Sequence, residues 1–188
     1  VAKEDPRIRA RYSDGSSTHQ GDGAPLWNDQ LLIARRLIEA GVRVVTVAYG
    51  FWDTHGNNFG HLKNNLPVVD AGLSALVEDI HQRGLADDVS LVVWGEFGRT
   101  PKINKDAGRD HWAPLTSLLL FGGGLRMGQV VGESTPKAEV PKSHPIKPPD
   151  LIATVLKVLG IDHRTQFTNQ SGRPVYAVEE GEPIAALV

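Results

Sequence analysis

Cysteine is absent from the 188 residues, which excludes a disulfide framework and any thiolate metal site. A metal would have to use His, Asp, Glu, Asn or water. Excess charge of one sign is also lacking: 20 Lys and Arg stand against 22 Asp and Glu, for a formal charge of −2. No global field therefore recommends nucleic acid or an anionic membrane surface as partner, and any anion site must be local. Long apolar runs are missing too. Residues 117–121 and 42–48 are strand-sized, well short of the roughly 20 residues that span a bilayer. No Gly-x-Ser-x-Gly elbow occurs, so a serine-hydrolase reading has no nucleophile to start from. The glycines at 122–124 lack the spacing of a dinucleotide or phosphate loop.

What is present is enough apolar material, 40% of the chain, for one substantial core. Residues 1–25 carry Arg7, Arg9 and Arg11 and then Ser- and Gly-rich stretches, a composition that buries little and reads as a flexible arm before a domain over 26–188. The chain opens on Val1 without an apolar signal core, so a segment upstream is expected. Leu31, Ala34, Leu37 and Ile38 follow helical spacing up to Gly41, where a C-terminal glycine cap belongs. The β-branched run 42–48 reads as a strand covered on both faces. Leu66, Val69, Leu73, Leu76, Val77 and Ile80 mark a long amphipathic helix ending at Arg83-Gly84, and residues 89–94 and 115–121 read as two further strands. Pro148-Pro149 start a last helix, closed by Gly160 and Ile161. The alternation predicts an α/β fold, a mainly parallel sheet flanked by helices, with ligands at the carboxyl ends of the strands.

The chemistry-bearing residues sit at those expected strand ends. Asp53 and His55 are two apart, so in extended chain they share a side and could share a cation. A carboxylate with an imidazole suits zinc, manganese or iron better than calcium, which prefers oxygen alone. The plainer reading is a capping Asp and an exposed loop His. Asp110 and His111 repeat the pairing before the third expected strand, although Asp110 would equally serve to orient its neighbour. Glu96 follows the second expected strand, either as a further ligand or as a surface glutamate. Arg99 offers a planar fork for phosphate or sulfate oxygens, or a salt-bridge partner for Glu96 or Asp110. His61 ranks below His55 as a ligand. His19, His81, His144 and His163 have no paired carboxylate at ligand spacing and read as structural or exposed.

Beyond these pairs, the chain carries Leu-Ile-Glu-Ala-Gly-Val-Arg at 37–43, Trp-Asp-Thr-His-Gly-Asn at 52–57 and Gly-Glu-Phe-Gly-Arg-Thr-Pro at 95–101. Gly-Arg-Asp-His-Trp follows at 108–112 and Gly-Gly-Gly-Leu-Arg-Met-Gly-Gln-Val-Val-Gly at 122–132. From Trp27 to residues 172–174 these motifs resemble a bacterial sulfatase-like family, domain of unknown function 1501, grouped with the alkaline phosphatase superfamily. The resemblance implies hydrolysis or transfer of phosphate or sulfate esters, with one or two metals and a Ser, Thr or modified Cys nucleophile. It implies Asp53, His55 and His111 as ligands of one divalent metal, zinc first and manganese, magnesium, calcium or iron as alternatives, with Glu96 or Asp110 completing the shell and Arg99 binding the anion. At the second metal position Glu96-Phe97 replaces an Asp-His pair, which puts a second metal in doubt. The nucleophile would lie on an earlier strand, so the chain is expected to be the C-terminal part of the domain, completed by a missing N-terminal half or a partner segment. The expected substrate is a small anionic ester, and the expected compartment periplasmic or extracellular. The alternative from another class is a non-catalytic metal-binding or scaffold domain that retains the fold.

Overall fold

The structure, a computed structural model, describes residues 1, 3–21, 23–143 and 145–188. His144, expected to have no ligand role, lies outside the described residues. The chain forms two compact units, Val1–Gly84 with Lys102–His111, and Leu85–Pro101 with Trp112–Val188.

The first unit begins with α1 (Pro6–Arg11) and β1 (Gly15–His19), followed by β2 (Pro25–Trp27), α2 (Asp29–Glu39) and α3 (Asn58–Gln82). Residues 1–25, expected as an arm, thus supply a helix and a strand. Proline at the first turn and the Asp5 carboxylate, which accepts from the Arg7 amide at 2.8 Å, start α1. Tyr12, just after it, is fully buried and donates to Asp79 Oδ2 at 3.0 Å. Asn28 begins α2 and is fully buried, its Nδ2 reaching the carbonyl of Val68 in α3 at 3.0 Å. Leu26, Leu31, Leu32, Ala75, Leu76 and Ile80 fill the remaining core. At the end of α2, Gly41 has φ of +95°, with its amide on Ile38 O and the Val42 amide on Leu37 O. This is the two-bond closure that only glycine adopts without strain.

A buried ionic cluster ties this unit together. Arg35, 3% exposed, pairs with Glu4 at 2.7 Å and Glu39 at 2.5 Å, and its Nε lies 2.9 Å from Asp79 Oδ2 without a well-aligned hydrogen bond. Arg83 pairs with Asp79 at 2.7 Å and Glu39 at 2.6 Å, while Arg36 reaches Glu4 at 2.8 Å. Each buried charge therefore faces an opposite one, the condition under which charges survive in a core.

The second unit holds β3 (Ser90–Val93), β4 (Gly98–Arg99), β6 (Leu119–Gly122), β7 (Glu133–Ser134), β8 (Pro141–Ser143), α4 (Pro148–Val158), β9 (Gln166–Thr168) and β10 (Pro174–Tyr176). The two-residue β5 (His111–Trp112) ends one unit and begins the other. Helix α4 starts with the Lys147 amide donating to Asp150 Oδ2 at 2.8 Å and closes on Gly160, with its amide on Lys157 O and that of Ile161 on Leu156 O. The tail folds back on it: Thr154 Oγ1 accepts from the Ile184 amide at 2.9 Å, and Ile184 and Leu187 join Leu151 and Ala153 in the core.

The expected mainly parallel, alkaline phosphatase-like sheet is overturned. Strands β3 and β6 pair antiparallel, Ser90 opposite Gly122 and Val93 opposite Leu119, and β7–β8 and β9–β10 are likewise antiparallel two-stranded pairs. No large parallel sheet flanked by helices is found among the described residues. Residues 42–48 form no strand, and Val44 is 71% exposed. An apolar β-branched run reports that a segment suits a covered pleated surface, while its partner and direction are set by residues distant in sequence. Among the described residues, no helix is long and apolar enough to cross a membrane.

Candidate metal centre

Two loops of the first unit build the site. In 52–55 the amides of Thr54 and His55 fold back on the carbonyls of Trp52 and Asp53, at 3.0 and 3.1 Å, the i to i+2 closure of γ-turns. Thr54 points inward, 3% exposed, and donates to Asn58 Oδ1 at 2.5 Å. Its neighbours Asp53 and His55 consequently point outward on one side, as the two-residue spacing anticipates. The second loop, 104–110, is bound to the first along its backbone. Arg109 donates to Thr54 O at 3.1 Å, Asn57 to Asp106 O at 3.0 Å and Asn58 to Ala107 O at 2.9 Å. Gly108 makes this approach feasible, because a Cβ there would stand 1.8 Å from the His55 carbonyl oxygen.

Three donor atoms converge where the loops meet. Asp53 Oδ1 lies 2.8 Å from His111 Nε2 and 3.0 Å from His55 Nε2, and the two Nε2 atoms are 3.2 Å apart. The imidazole rings tilt toward one another with centroids 4.8 Å apart. On the opposite side of His55, Nδ1 stands 2.7 Å from Asp110 Oδ1. A neutral ring that donates its Nδ1 hydrogen to that carboxylate keeps a lone pair on Nε2. That lone pair faces an oxygen and a second ring nitrogen.

This is a donor set for a cation. Zinc bonds of about 2.0–2.1 Å in tetrahedral geometry separate ligand atoms by about 3.3 Å, so the three observed spacings need to open by only a few tenths of an ångström. Asp53, His55 and His111 thus form a candidate metal-binding triad, each about half exposed. Asp110, expected as a further ligand, is placed on the far ring nitrogen, where a carboxylate fixes the ring's tautomer and direction. The His55 imidazole, and after it the Asn104 amide, hold the Asp110 carboxyl below its ordinary range.

Glu96 is exposed on the turn after β3 and Arg99 is half-buried in β4, both in the second unit. His61 sits in the first turn of α3 against the Phe51 ring, centroids 6.4 Å apart. Arg109 lies over the Phe59 ring at 5.6 Å. The sequence reading missed Asn104, whose side chain touches both loops. Its signal was an Asn four residues before a glycine, the pattern of a side-chain-closed turn.

Fold and site together describe a small protein of mixed helices and short antiparallel strand pairs, bearing an Asp and His cluster suited to a cation. The chain belongs to the family described as Protein of unknown function (DUF1501), which matches residues 1–188. No curated protein and no solved structure matches it.

Proposed function

We propose that Asp53, His55 and His111 hold one divalent cation, and that the chain serves the metal-dependent hydrolysis of a phosphate or sulfate ester. The observation that supports metal binding is the convergence of a carboxylate oxygen and two imidazole nitrogens at 2.8–3.2 Å, with the far nitrogen of one ring already engaged by Asp110. Two nitrogens in three donors favour zinc, with manganese or iron next and magnesium or calcium last. Three protein donors among the described residues would leave a coordination position open, as catalytic rather than closed structural sites do. When bound there, a divalent ion would polarise an ester oxygen and lower the pKa of a coordinated water. The chain's own residues do the rest of the work: Asp53 supplies negative charge, and Asp110 directs the His55 ring. The ester chemistry rests on the sulfatase-like resemblance of the motifs around these residues.

The test is metal content of the purified protein beside His55→Ala and His111→Ala variants. Stoichiometric metal in the wild type and its loss in both variants is the expected result; unchanged metal in both would reject the assignment. Aryl phosphate and aryl sulfate hydrolysis by the zinc-loaded protein tests the second half. Tight binding without turnover would assign the non-catalytic metal-binding reading instead.

A further inference from the structure

Asn104 has both amide hydrogens and its carbonyl engaged. Its Oδ1 accepts from the amides of Asp106 at 3.0 Å and Gly108 at 2.9 Å, which closes the 104–108 turn on itself. Its Nδ2 donates outward, to the His55 carbonyl at 2.9 Å and to Asp110 Oδ1 at 3.1 Å. A side-chain amide offers two donors and one carbonyl oxygen with two lone pairs, so every capacity of this side chain is used. Half of those bonds define the loop and half grip the candidate centre.

We infer that Asn104 is a positioning residue for the metal centre, setting where the Asp110 carboxylate meets His55 Nδ1 and thereby where His55 Nε2 points. This rests on the metal-binding reading above. The physical reason lies in the shared oxygen. Asp110 Oδ1 receives the Asn104 amide and also faces the His55 ring, so the amide directs the same carboxylate oxygen that meets the imidazole, across a terminal torsion that is intrinsically broad. The same Nδ2 anchors the His55 backbone, so carboxylate and ring are referenced to one atom. No aliphatic or hydroxyl side chain spans both contacts from this backbone position. Supporting partners of ligating histidines typically change metal affinity about ten- to hundredfold when removed.

The experiment is a double-mutant cycle on the full chain, with Zn²⁺ and Co²⁺ affinities and the Co²⁺ visible spectrum as readouts. Asn104→Ala, Asp110→Ala and the double variant are compared with wild type, and folding is followed by circular dichroism. Asn104→Ala is expected to weaken Zn²⁺ at least about tenfold and to alter the Co²⁺ bands. In the Asp110→Ala background the same change is expected to cost less than a third of that factor, because residues acting through one another are not additive. Affinity within about twofold of wild type, or full additivity with Asp110→Ala, overturns the inference. If Asn104→Ala fails to fold, Asn104→Ser carries the same test, since its hydroxyl keeps a short acceptor for the Asp106 amide while losing the reach to Asp110. Failure of the underlying reading has a different signature: the wild type takes up no Zn²⁺, or His55→Ala binds it unchanged.

Discussion

The two units are held together by opposite means. In the first, charges are buried and matched over long stretches of sequence, Glu4 to Arg35 and Arg36, Arg35 to Asp79, Glu39 to Arg83. In the second, the buried set is Leu151, Ala153, Ile184 and Leu187, joined by the buried Thr154 hydroxyl, while Val130 is 95% exposed. An apolar contact tolerates shifts, because burial is non-directional. A buried ion cluster tolerates few, because each misplaced partner weakens the pairing of a charge in the core. The unit that must hold three donor atoms to within tenths of an ångström is the one built on directional contacts.

The change expected to do most to that contrast is Arg35→Ala. It would take the central cation from Glu4, Asp79 and Glu39 and leave them only Arg36 and Arg83 at the edge of the cluster, and breaking a buried pair costs about 3–5 kcal/mol. Denaturant unfolding, with amide exchange read in α2 and α3, measures it. A loss below about 1 kcal/mol would mean the cluster is solvated, and the contrast with the second unit would collapse.

The corresponding probe of the second unit is smaller. Thr154→Val keeps the shape and apolar packing but leaves the buried Ile184 amide without its acceptor. A buried donor left unsatisfied costs about 1–3 kcal/mol. Limited proteolysis should then cut residues 182–188 faster than in wild type, while Thr154→Ser, which retains the hydroxyl, should behave as wild type. Equal cutting in Thr154→Val would show that apolar contact alone holds the tail.

Which parts of this were legible in the sequence follows from how far each signal reaches. The helices announce themselves within a few residues: Gly41 and Gly160 close α2 and α4, and Pro148 opens α4. The triad was legible because Asp53 and His55 are two apart and Asp110-His111 repeat their chemistry. The sheet was not. Residues 42–48 and 90–93 look alike as sequence, yet only the latter finds a strand, and that one runs antiparallel. Pairing is a property of two distant segments, and composition records only one of them. The charged N-terminal stretch misled for the same reason. Glu4 reads as solvated until Arg35, 31 residues on, is known to face it. Asp110 reads equally as a ligand or as an orienting carboxylate, because spacing places a carboxylate near a ring without saying which nitrogen it meets.

The smallest expected effect is a pH dependence confined to the first unit. Burial pushes the Glu4 carboxyl up, but hydrogen bonds from Arg36 and then Arg35 outweigh it and hold the group below its ordinary value of 4.5. A carboxyl with a lower pKa folded than unfolded stabilises the fold fully above its unfolded value, and that contribution disappears as pH falls through the folded one. Stability should therefore be flat with respect to this group from neutral pH to about 5 and decline below about 4.5. Glu4→Gln, which cannot titrate, should be less stable at neutral pH and lose less on acidification, as measured by thermal midpoints across that range. Identical acid slopes in the two proteins would show that the Glu4 pairs are already screened by water. The interior of the first unit would then resemble the apolar, loosely covered second one more than the ionic cluster implies.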